Sequence, residues 1–114
     1  MTGEEVVSAL AYFDGKIFAG TYGRGVYVSR DKGQSWIGTT SGPLLNLTVG
    51  SLTQNDSALY AGTTWGVCIL KKGERDWITF NQGFDPITSI TSLYITKDVI
   101  YSGTYNMGVA IRPL

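Results

Sequence analysis

The feature that most constrains this chain is an internal repeat of about 41 residues. Phe18-Ala19-Gly20-Thr21, Tyr60-Ala61-Gly62-Thr63 and Tyr101-Ser102-Gly103-Thr104 share the order aromatic, small, Gly, Thr, and their glycines stand 42 and 41 residues apart. Leu10, Leu52 and Leu93 each precede that glycine by ten residues, with Val7, Val49 and Ile90 three residues earlier. Gly25-Val26-Tyr27-Val28, Gly66-Val67-Cys68-Ile69 and Gly108-Val109-Ala110-Ile111 follow it. Trp36 and Trp77 complete the first two copies, and the third reaches Leu114 without its tryptophan. A period in this range marks a supersecondary unit that buries its apolar faces only by stacking on its neighbours.

Within each copy the hydrophobic period is two, in short runs punctuated by Gly, Asp and Asn, which predicts strands rather than helices. The first copy reads as four strands, Val6 to Ala11, Lys16 to Thr21, Gly25 to Ser29 and Ser35 to Thr39, with Asp14-Gly15 as a two-residue hairpin turn. Strand two carries Ile17, Ala19 and Thr21 on one face and Phe18 and Gly20 on the other. Apolar or small residues on both faces suit a sheet sandwiched between sheets. A four-stranded unit of this length is the β-propeller blade. The chain, 1–114, therefore reads as a single partial propeller domain, with blades over 5–42, 46–83 and 87–114 and the third blade incomplete.

Composition narrows the chemistry. The chain is 43% hydrophobic and 12% aromatic with 15 glycines, which fits a folded, turn-rich protein. Nine basic residues balance nine acidic ones, so nothing draws it to nucleic acid or an anionic membrane. No histidine is present and Cys68 is the single cysteine, so an intrachain disulfide is excluded and zinc sites and histidine-based triads are discounted. Alignment with Tyr27 and Ala110 makes Cys68 a buried packing residue. Neither a metal nor a cofactor is expected. Glu4 and Glu5 stand where a signal peptide carries basic residues, and no apolar run is long enough to span a membrane, so the expectation is a soluble, cytoplasmic chain.

Ser29-Arg30-Asp31-Lys32-Gly33-Gln34-Ser35-Trp36 resembles the Asp box, Ser-x-Asp-x-Gly-x-Thr/Ser-Trp, of BNR-repeat propellers, a group that includes sialidases and photosystem assembly factors. Its structural positions here are Ser29, Asp31, Gly33 and Trp36, with Asp31 accepting backbone N–H bonds, Gly33 at positive φ and Trp36 beneath the loop. The second copy, Leu70 to Trp77, keeps the tryptophan but has Lys72 in place of the aspartate, and the third has no box. In that family the box lies away from the active site, so the resemblance implies a fold and leaves the activity open.

Propellers have typically about four to eight blades, so three do not close a ring. Two chains supply six, which predicts a head-to-tail homodimer; an excerpt of a longer chain and closure by a different subunit remain open. The loops between strands two and three, Tyr22-Gly23-Arg24, Thr64-Trp65 and Tyr105-Asn106-Met107, each present an aromatic. They would open on the ligand face together with the connections Gly42 to Asn46 and Gly83 to Pro86. The candidate binding residues are Tyr22, Arg24, Trp65, Tyr105, Asn106 and Asp85, suited to a carbohydrate, another small polar or aromatic ligand, or a protein partner. No catalytic residue is assigned, because the arginines and carboxylates lack the arrangement that glycoside hydrolysis requires. The expectation is a non-catalytic binding module. A glycoside hydrolase-like or degenerate enzyme, and a purely structural fragment, are the alternatives.

Overall fold

A computed structural model describes residues 3–81, 89–105 and 108–114. Among the described residues there is no helix, hence none that could cross a membrane. Each copy of the repeat forms one antiparallel sheet. Sheet one is ordered β1 (Val7–Phe13), β2 (Lys16–Thr21), β3 (Val26–Ser29). Sheet two runs β4 (Val49–Gln54), β5 (Ala58–Thr63), β6 (Gly66–Lys71), β7 (Ile78–Thr79), and sheet three β8 (Ile90–Ile95), β9 (Val99–Thr104), β10 (Val109–Pro113).

Turn chemistry explains the hairpins. Asp14 and Gly15 both hold positive φ, 52° and 76°, as a primed two-residue turn demands, so Phe13 pairs directly with Lys16. In sheet two the Asn55 carboxamide accepts the N–H groups of Ser57 and Ala58, both at 2.9 Å. In sheet three the Thr96 hydroxyl accepts the N–H of Val99 at 3.1 Å. A register shift recurs at the same place in the first strand of each sheet, between Val7 and Ala9, Val49 and Ser51, and Ile90 and Ser92.

The repeated Gly-Thr pair has two separate jobs. The hydroxyls of Thr21, Thr63 and Thr104 donate to the carbonyls of Gly25, Gly66 and Gly108 at 2.8, 2.8 and 2.7 Å, closing the turn to the third strand three times over. The glycine makes room for the next sheet. A Cβ at Gly20 would lie 2.8 Å from Val49 Cγ1, and one at Gly62 2.8 Å from Ile90 Cγ2. The first residue of β4 and of β8 therefore seats on the glycine of the preceding sheet.

Two apolar layers hold the stack. Phe13, Phe18, Val26, Leu44, Val49, Leu59, Ala61, Cys68 and Leu70 fill the space between sheets one and two, with Trp77 reaching across edge-on to Phe18, ring centroids 6.3 Å apart. Ala58, Tyr60, Val67, Ile69, Ile90 and Ile100 form the second layer, and the Arg112 guanidinium spans it to lie 3.8 Å over the Phe80 ring. Every residue of β5 is buried, as expected of the middle sheet.

The fourth strand of the first copy is a correction. Ser35 to Thr39 does not form a strand; it meets β3 through a single bridge, Val28 with Ile37, whose two N–H···O bonds are both 2.9 Å. A side chain replaces the rest of the ladder, since Thr39 Oγ1 accepts from the Val26 N–H at 3.0 Å and donates to the Val26 carbonyl at 2.8 Å. In sheet two the Asn81 carboxamide likewise accepts the Val67 N–H at 2.8 Å, which leaves β7 only two residues long. Sheet three has three strands.

Candidate functional site

The loops between the second and third strands emerge at one end of the stack. Tyr22, Trp65 and Tyr105 are all exposed there. Each loop is fastened to the connection that enters its own sheet: Tyr22, Thr64 and Tyr105 donate their N–H groups to the carbonyls of Val6, Thr48 and Ser89 at 3.0, 3.1 and 3.1 Å. Thr48 also ties two loops together, because its hydroxyl accepts the Gly23 N–H at 2.9 Å from the neighbouring sheet. Thr63 Oγ1 accepts the Trp65 N–H at 2.9 Å. The ring of Trp65 is thus presented from a backbone anchored by a buried hydroxyl.

Arg24 is engaged rather than free. Its guanidinium lies 3.6 Å from Glu5 Oε2, which also accepts the Tyr27 hydroxyl at 3.1 Å. The Glu5 side chain is almost fully covered. In the sequence Glu5 stands out only for its charge near the N-terminus; no repeat position singles it out, since its counterparts are Leu47 and Thr88. The segment Gly42 to Asn46 does meet this end. Leu44 is buried and the Gly25 N–H donates to Leu47 O at 2.8 Å, so this connection packs against the first loop. Asp85, Asn106 and Met107, with the segment Gly83 to Pro86, lie outside the described residues.

The Ser29 to Trp36 hairpin sits at the opposite end of sheet one. Asp31 Oδ1 accepts the Ser29 hydroxyl at 2.9 Å and the Ser35 N–H at 2.8 Å, and Oδ2 accepts the Ser35 hydroxyl. Gly33 has φ 93°, its N–H donates to the Ser29 hydroxyl at 2.7 Å, and the Trp36 indole N–H donates to Gly33 O at 3.1 Å. The Ser35 hydroxyl and N–H, aided by the Ser29 hydroxyl, hold the Asp31 carboxyl down at about 2 from an ordinary 3.8. These bonds fully employ the side chain as a hairpin brace. The corresponding turn in sheet two borrows its carboxylate: Asp14, from the first sheet, accepts the Gly73 N–H at 3.0 Å. That bond also lowers the Asp14 carboxyl below its ordinary value.

A groove of about 480 Å³ runs along the outer edge between sheets one and two, lined among others by Arg30, Ile37, Thr39, Arg75 and Trp77. It exists because the fourth strand of the first copy is reduced to one bridge, which the sequence did not reveal. Cys68, 1% exposed, is a core residue whose thiol burial pushes up to about 11.

No protein family matches the chain, and no curated protein does. Among solved structures it is similar to the computationally designed Ika4 protein, with a TM-score of 0.71 at 17% identity over 97% of this chain and 71% of that one. The computationally designed Ika8 protein matches with a TM-score of 0.67 at 16% identity over 94% of this chain. The match covers 33% of the Ika8 chain. At such identities the likeness shows a shared fold and nothing of activity.

Proposed function

We propose that this chain is a non-catalytic binding module, three blades of an Asp-box type propeller that acts as a homo-oligomer and takes a carbohydrate or another small polar or aromatic ligand on its loop face. The observation that carries this reading is the recurrence of an exposed aromatic, Tyr22, Trp65 and Tyr105, in the loop between the second and third strands of three successive sheets. Water-exposed rings held by anchored backbone are pre-organised stacking surfaces for a sugar or an aromatic ligand. The Asp31 brace supports the family reading on geometry alone. Apolar outer faces on sheets one and three support the oligomer, since six sheets fall within the ring sizes that propellers adopt.

A glycan array followed by calorimetric titration tests this. Loss of one stacked ring is worth about 0.5–1.5 kcal/mol, so Trp65→Ala should weaken binding roughly two- to tenfold while leaving the unfolding midpoint unchanged. If no sugar or aromatic ligand binds, and Trp65→Ala and Tyr105→Ala lower stability alone, the rings serve packing and the binding reading fails. Turnover of chromogenic glycosides would replace it with a hydrolase.

A further inference from the structure

We infer that a second copy of this chain docks head to tail, with Val7 of one chain seated on Gly103 of the other. This deepens the oligomeric reading above and rests on it. Inside the chain the same contact occurs twice. Val49, 0% exposed, sits on Gly20, and Ile90, 4% exposed, sits on Gly62. Val7 occupies the equivalent position on β1, paired with Thr21 as Val49 pairs with Thr63 and Ile90 with Thr104, yet it is 43% exposed. Gly103 is the matching socket: among the described residues, the three atoms nearest to a Cβ there belong to Ser92 and Thr91 of its own sheet. One chain thus carries one unused knob and one unused socket.

The surfaces around them match in the same way. On the free face of sheet one, Leu10 and Tyr12 are exposed, while Leu93 and Ile95 at the same repeat positions of sheet three pack against the second apolar layer. On the free face of sheet three, Val109 and Ile111 are 67% and 63% exposed, with Tyr94 beside Tyr101. Their counterparts Val26 and Val28 belong to the first layer, Val28 at its margin. The free face of sheet one therefore has the composition of a face that two internal interfaces already accept, and sheet three that of the face that receives it. A polar contact repeats as well. The Ser8 hydroxyl, also within reach of Gly20 O, donates to Val49 O across the first interface; Thr91, its equivalent on β8, donates within its own sheet to Gly103 O at 3.1 Å and would redirect that proton to the carbonyl of the partner's Val7. Such a contact joins unlike faces, so two chains close a ring of six sheets through two identical seams.

Two variants test this, Val7→Asp on the donor face and Ile111→Glu on the acceptor face. Both side chains are exposed in the single chain, so circular dichroism should report an unchanged fold. Sedimentation equilibrium at micromolar concentration should give twice the chain mass of 12.4 kDa for the wild type and 12.4 kDa for each variant. An equimolar mixture should recover the doubled mass, because one seam then joins the intact sheet-three face of the Val7→Asp chain to the intact sheet-one face of the Ile111→Glu chain. A monomeric wild type overturns the inference. So does a dimer sensitive to only one variant, which marks a like-to-like interface, and so do masses that grow with concentration, which mark an open array. Ligand binding is not read here, so failure of the loop-face proposal and failure of the seam are separable.

Discussion

Replacing Gly20 with alanine tests the stacking directly. The added Cβ would stand 2.8 Å from Val49 Cγ1, 3.0 Å from Val49 O and 3.1 Å from Val49 Cβ, all atoms of the neighbouring sheet. Backbone cannot swing aside as a flexible side chain can, so β4 must move by several tenths of an ångström and the first apolar layer must loosen. Overpacking of this kind costs about 1–3 kcal/mol. Reduced freedom of the unfolded chain returns about 0.4–1 kcal/mol. The two ranges leave a net loss of at most about 2.6 kcal/mol, centred on about 1.3 kcal/mol, a central fall of roughly 5 °C in the unfolding midpoint of a domain of this size. Gly50→Ala is the control, because its nearest neighbours, Ile90 O and Thr91 O, lie at 3.7 and 3.8 Å, ordinary contact distances. It should be neutral or slightly stabilising. Urea unfolding followed by tryptophan fluorescence, at one fixed protein concentration, reads both. Equal stability of the two variants would refute the seating of Val49 on Gly20.

Three further outcomes follow from the same geometry. Thr63→Val removes the buried hydroxyl that bonds Gly66 O and the Trp65 N–H, and should cost about 1–3 kcal/mol in chemical unfolding while shifting the Trp65 emission. The Asp31 carboxylate is favoured by folding, so its contribution is complete above about pH 4 and is lost as the pH falls through about 2. Asp31→Asn should flatten stability against pH over that interval, and an unchanged slope in acid titrations would deny the brace. Cys68, buried and with its thiol pushed up to about 11, should resist a thiol reagent at neutral pH until the protein unfolds. Prompt labelling of the native protein would show the first apolar layer to be open.

The period of the repeat made most of the architecture legible, because Gly20 and Gly62 answer the same packing demand and Thr21, Thr63 and Thr104 the same turn. The two-residue turn at Asp14-Gly15 and the limits of β2 were also readable, although β1 runs on to Phe13, two residues past the expected end at Ala11. What escaped is what side chains supply across the repeat. Thr39 and Asn81 stand in for a fourth strand with a hydroxyl and a carboxamide, so alternation in Ser35 to Thr39 signalled a strand that a single bridge replaces. The Glu5 carboxylate reaches Arg24 and Tyr27, and Asp14 reaches Gly73, 59 residues away. None of these pairs has a counterpart in the other copies, so periodicity could not expose them. The exposed aromatics of the loop end were legible for the opposite reason, since Tyr22, Trp65 and Tyr105 hold corresponding loops.

Head-to-tail closure stands or falls most directly on the mass of the unmodified chain in solution. Light scattering on a micromolar sample should return twice 12.4 kDa, with no growth on concentration. A single species of 12.4 kDa would mean that Val7 and Gly103 remain uncovered, contradicting the proposed ring.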